Sequence, residues 1–132
     1  MTNNIIRKNP ETMPLPVGEY SHVTVIPPQA TWYTFSGQIG SDLNNQLPLA
    51  FNQQVTNTLK NIQLALASEK LTGEDVIKVN IWSVEEIDWE HFYQKWHELF
   101  PKEQPSMTIG YIKALGLPEI KIEIEVIAAK VQ

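Results

Sequence analysis

The sequence predicts an α+β domain in which two helices cover one face of a sheet. Three observations carry this reading. Ile122, Ile124 and Val126 alternate with Lys121, Glu123 and Glu125, the period-two pattern of a strand with one apolar and one charged face. Phe51, Val55, Leu59, Ile62 and Leu66 recur every three or four positions. So do Trp89, Phe92, Trp96 and Phe100, which gives two amphipathic helices. The elements follow one another as β-β-α-β-α-β-β, an α+β layout.

Each element has its own local reason. Residues 1–16 form an N-terminal segment to which no element is assigned. Tyr20 to Ile26 and Thr31 to Phe35 are rich in β-branched and aromatic residues, and the Pro-Pro-Gln-Ala between them predicts a hairpin. Gly37, Gly40, Asp42 and Asn44 then supply turn chemistry. Pro48 suits the first position of a helix of about 20 residues ending near Lys70. The Leu-Thr-Gly-Glu-Asp segment breaks it, and Val76 to Val84 is the next strand, with Lys78, Asn80 and Ser83 as its polar positions. The second helix runs from Asp88 to Phe100 and is followed by Pro101 and Pro105. Ser83-Val-Glu-Glu86 fits a structural capping box ahead of it. Residues 106–112 and 119–129 are the last two strands. Repeats, low-complexity runs and linkers are absent, so residues 1–132 are expected to form one domain.

Composition narrows the function. Hydrophobic residues make up 42% of the 132, enough for a core. A formal net charge of −5 disfavours nucleic acid and anionic membranes. Cysteine is absent, which excludes disulfides, thiolate zinc sites and thiol nucleophiles. The first residues lack the apolar run of a signal peptide, and no stretch approaches the ~20 apolar residues of a membrane span. A cytoplasmic location is expected.

His22, His91 and His97 make no i, i+4 pair, so no metal site is expected. Neither a P-loop, a GxGxxG segment nor a nucleophile elbow occurs, and no cofactor is expected. The glycines of Ser36-Gly-Gln-Ile-Gly40 read as turn formers whose backbone N–H groups can hold a carboxylate. Arg7, the only arginine, reads as a surface residue. The Trp and Phe stripe reads as core, and the acidic row of the last strand as a solvated or ligand-facing surface.

Five segments, in order, resemble the Rid family, also called YjgF or L-PSP proteins. Gly18-Glu-Tyr-Ser-His22 is similar to the family's G-P-Y-S segment, and Ser36-Gly-Gln-Ile39 matches S-G-Q-I. Thr56-Asn-Thr-Leu-Lys-Asn-Ile-Gln-Leu-Ala-Leu66 resembles its first-helix motif, and Gly73 to Trp82 its G-x-x-x-D-V-V-K strand entry. Ile122-Glu-Ile-Glu-Val-Ile-Ala128 matches the terminal I-E-I-E-A-I-A. The resemblance covers residues 17–130.

It implies a chorismate-mutase-like fold assembled as a homotrimer. Three sheets form a central barrel, helices lie outside, and clefts between neighbouring subunits hold small molecules. The activity it implies is hydrolysis of enamine and imine intermediates of amino acids to 2-keto acids and ammonia. Glu123 and Tyr20 carry over as catalytic positions, and Ser36 and Gly37 as substrate-binding positions.

Two departures qualify the expectation. The family's P-A-R-S segment falls without gaps on Pro105-Ser-Met-Thr108, which puts Met107 where its substrate-binding arginine stands. A shift by one puts Ser106 there, and neither is cationic, while Tyr93 replaces a smaller asparagine. Met107 and Tyr93 thus line the substrate side of the cleft. Charge-assisted hydrogen bonds contribute about 1.5–3 kcal/mol each, so loss of a bidentate pair weakens carboxylate recognition roughly a hundredfold or more. A divergent Rid-like protein is expected, hydrolytic or purely ligand-binding. Standard 2-imino acid deamination is the alternative, and endoribonuclease activity a third reading opposed by the acidic charge.

Overall fold

A computed structural model describes residues 4–132. The long elements lie where the periodicity puts them. Helix α1, Phe51–Ser68, turns Val55, Leu59, Ile62 and Leu66 inward. Helix α2, Trp89–Leu99, is capped by Asp88, whose side chain accepts the His91 N–H, and it buries Phe92, Trp96 and Leu99. Pro48 stands outside α1, ahead of an N-cap at Ala50. Ser83 belongs to the strand before α2 and takes no part in capping that helix.

The strands are β1 (Ile6–Lys8), β2 (Val23–Val25), β3 (Ala30–Thr34), β4 (Val76–Ser83), β5 (Ser106–Tyr111) and β6 (Ile122–Val131). The main sheet has the order β3-β6-β4-β5, with β4 and β5 parallel and β6 antiparallel to both its neighbours. Ile122, Ile124, Val126 and Ala128 of β6 are all at most 2% exposed. They meet Val79 and Ile81 of β4 and the two helices in one core. Burying side chains of this size contributes about 1.5–3 kcal/mol each, so the alternation of β6 fixes its register.

The expected hairpin does not form. β2 pairs with β1, with Ile6 opposite Val25 and Lys8 opposite Val23, while β3 pairs with β6. Pro27 and Pro28 lack the N–H groups that a ladder beside the turn would use; the chain turns through Ala30 N–H to Pro27 O, and the two segments leave for different partners. β1 lies in the segment left unassigned. Residues 1–3 of that segment are outside the described residues.

Arg7 is also not a surface residue. Its side chain is 5% exposed, and Nη2 donates to Glu74 O (2.7 Å) and Val76 O (2.8 Å). Glu103 lies 3.7 Å from Nη1. Burial lowers the guanidinium pKa, and Glu103 partly offsets that. Arg7 thereby ties β1 to the start of β4, where Ile77 is displaced by a bulge between Val76 and Lys78 and packs with Ile5 and Ala129.

Candidate functional site

The acidic row of β6 faces away from the helices, toward polar residues and one tryptophan of β4. Opposite Glu125 stands Asn80, which donates to Oε1 at 3.2 Å. Lys78 Nζ donates to Thr108 Oγ1 at 3.0 Å on the same face. Glu123 is opposite Trp82, whose ring covers Gly110.

Glu123 has a second neighbour. Gln38 pairs with Ile124 through Gln38 N–H to Ile124 O (2.8 Å) and Ile124 N–H to Gln38 O (3.0 Å). This short bridge lays Gly37 across the Glu123 side chain so closely that a Cβ added at residue 37 would fall on Oε2. Glycine is required here for close approach. Ser36, Gly37 and Glu123 are therefore one group.

A row of amides on α1 holds that group in place. Asn61 Nδ2 donates to Ile39 O (2.8 Å) and Ser41 O (2.9 Å), and Asn57 Nδ2 to Gly40 O (3.1 Å). Gln54, fully buried, donates to Pro48 O and Glu119 O and accepts the Lys121 N–H at 3.0 Å. The helix thus fixes both the 37–41 segment and the entry to β6. These amides were not among the expected site residues. Their signal is the 54, 57, 61 spacing, which lies along one side of a helix.

Tyr20 and Tyr93 form another group, and Met107 lies on the helix side of the sheet that it borders. Gly18 packs against both tyrosine rings. The Tyr93 hydroxyl accepts the Glu19 N–H at 3.4 Å, and the Tyr20 hydroxyl accepts the Val17 N–H at 3.3 Å. The Tyr93 ring stacks on His97 at 5.5 Å, and His97 Nε2 lies 2.6 Å from Glu19 Oε1. Burial raises the pKa of the Tyr93 phenol, the hydrogen bond from the Glu19 N–H partly offsets this, and the Glu19 charge adds to the rise. Ser21 anchors the segment to the strand entry through Ser21 N–H to Pro105 O and Oγ to Gln104 O. Met107, opposite Val79, packs against the helix-side core, as Tyr93 does from α2.

Met107 and Glu123 consequently occupy opposite faces of one sheet. Among the described residues no hydrogen bond or ring contact joins the two groups. Neither group of three metal-ligating side chains nor a helix long and apolar enough to cross a membrane occurs among the described residues.

The model for the family described as endoribonuclease L-PSP matches residues 10–130. A RutC family protein of Buchnera aphidicola is 29% identical over 126 residues, covering 92% of this chain and 95% of that one. A second, from Aquifex aeolicus, is 29% identical over 122 residues, covering 89% and 93%. Among solved structures, the conserved Rid family protein YyfB from Yersinia pestis superposes with a TM-score of 0.84 at 24% identity, covering 95% of this chain and 98% of that one. The element order and the two helices on one sheet face are those of the chorismate-mutase-like fold. The chain belongs to the endoribonuclease L-PSP family, the Rid or YjgF proteins, and is built on their fold.

Proposed function

We propose that this protein binds small imine- or carbonyl-bearing molecules in clefts between subunits of a homotrimer, and either hydrolyses them or holds them. The observation that carries this reading is the contact of Gly37 with Glu123. A carboxylate held under exposed backbone, with Ser36 open to solvent beside it, is suited to orient water or a ligand carbonyl. Tyr20 and Tyr93 form an aromatic wall around Gly18. Since one chain keeps Met107 and Glu123 on opposite sheet faces, a complete site needs Ser36, Gly37 and Glu123 of one copy beside Tyr20, Tyr93 and Met107 of the next.

Trimerisation also accounts for the exposed apolar surface. Trp32, on the face of the sheet that carries Glu123, is 58% exposed and Val17 is 98% exposed. Apolar groups of that size are commonly covered by a partner. The acidic net charge speaks against nucleic acid as the ligand. The protein works without metal or cofactor, in the cytoplasm.

Met107 sets the substrate preference. In place of a guanidinium it offers an apolar wall that cannot pair with a carboxylate next to the reacting carbon. Wild-type protein should release little 2-ketobutyrate from the threonine-derived enamine, and Met107→Arg should raise that release at least tenfold. Turnover by the wild type equal to that of the Met107→Arg variant would refute the assignment of Met107. Sedimentation equilibrium should give three chains per particle, and a monomer at micromolar concentration would refute the shared cleft.

A further inference from the structure

Arg7 is bonded to backbone carbonyls of residues 74 and 76, so a permanently charged side chain for an anionic ligand group must be a lysine. Four of the eight lysines other than Lys60 are committed or badly placed. Lys121 Nζ is 3.2 Å from Glu85 Oε2 and donates to Leu49 O. Lys102 pairs with Glu74, and Lys95 with Glu98. Lys78 shares the Glu123 face, but its strand position is four residues from Trp82, the partner of Glu123, which is about 13 Å at ~3.3 Å per residue.

Lys60 is different. A groove of about 690 Å³ opens off Gly37 and runs between the 38–45 loop and the outer face of α1, and Lys60 lines it together with Asn57, Asn61 and Leu64. Lys60 is exposed and forms no ion pair among the described residues. The volume lies within the roughly 300–1,000 Å³ of small-molecule sites. One wall is apolar, through Leu43 and Leu64. Asp42 also lines the groove, with Oδ1 accepting the Asn44 and Gln46 N–H groups. Its negative charge repels a dianion such as a phosphate monoester twice as strongly as a single carboxylate, and weakens the binding of either.

We propose that this groove adjoins the Gly37–Glu123 site through Gly37, the residue common to both, and that the Lys60 ammonium holds a carboxylate remote from the reacting carbon. The proposal rests on the site assigned above. It names the substrate class as an imine or carbonyl compound with an apolar spacer of a few carbons and a terminal carboxylate. Met107 removes the anchor for a carboxylate adjacent to the reacting carbon, and Lys60 supplies one farther away.

The test compares 4-oxopentanoate with its neutral counterpart 2-pentanone by NMR titration of the full isotopically labelled chain. The carboxylate should bind about tenfold more tightly, shifting Gly37, Lys60, Asn61 and Leu64, and added salt should erode the difference. Lys60→Gln, on the exposed face of α1, should abolish the preference, and Lys60→Arg should keep it. Equal affinities for the two compounds in the wild type overturn the proposal, as does a preference that survives Lys60→Gln. Glu123→Gln examines the underlying site separately and should weaken both compounds alike. If it changes neither while the Lys60-dependent preference persists, the groove stands and the Glu123 assignment fails. If it weakens both while Lys60→Gln leaves the preference intact, the groove fails and Glu123 stands.

Discussion

Gln54 of α1 accepts the backbone N–H of Lys121, 67 residues further along the chain, at 3.0 Å. The same amide donates to Pro48 O and Glu119 O, so one fully buried side chain satisfies three backbone groups. Gln54→Leu should destabilise the protein by about 2–4 kcal/mol, because those groups are left buried without partners. The midpoint of urea unfolding measures it. A change below about 0.5 kcal/mol would mean that water replaces the amide.

Gly37 and Glu123 should be coupled energetically. Gly37→Ala forces the Glu123 carboxylate aside and should cost about 1–3 kcal/mol. In a Glu123→Ala background the collision is gone, and most of that cost should vanish. A double-mutant cycle with a coupling near zero would show that the backbone moves instead.

The Tyr93 phenol titrates late, since burial and the Glu19 charge disfavour its anion. A folded pKa above the unfolded value of about 10 contributes stability that is fully present below pH ~10 and lost as pH rises through the folded pKa. Stability should therefore fall with increasing pH above about 10. Absorbance near the tyrosinate band should show a late-titrating phenol that disappears in Tyr93→Phe, together with part of the alkaline loss of stability. A tyrosinate titration unchanged by Tyr93→Phe at its alkaline end would contradict this.

Lys70 ends α1 with φ of 60°, the left-handed conformation that glycine adopts without strain. Glu69 N–H and Leu71 N–H both donate to Leu66 O, which closes the helix around it. Lys70→Gly should stabilise the protein by about 1 kcal/mol, raising Tm by a few degrees. Loss of the contact from Lys130 Nζ to Lys70 O is not expected, since the carbonyl remains. A lower Tm would show that the lysine chain itself packs favourably.

What the sequence revealed depended on how far each signal reached. β6 and α2 were legible because periodicity reports burial directly, and Ile122, Ile124, Phe92 and Trp96 all lie in the core. β1 was not, since Ile6, Arg7 and Lys8 carry no alternation and gain their structure from pairing with residues 23–25. The Arg7 position depends on carbonyls of residues 74 and 76, which local pattern cannot see. At the candidate site, the glycine and the glutamate were both readable, yet their contact was not, because it follows from the Gln38–Ile124 bridge. The separation of Met107 from Glu123 likewise needed the register of β4 with β5 and β6.

The burial of Arg7 gives the folded chain an unusual chemical silence. It is the only arginine, and its guanidinium is enclosed by backbone. Dicarbonyl reagents that derivatise accessible arginines should therefore leave the native protein unmodified and unaffected in ligand binding. Once the chain unfolds, a single adduct should form, so the rate of labelling at Arg7 reads out how often β1 detaches from the start of β4.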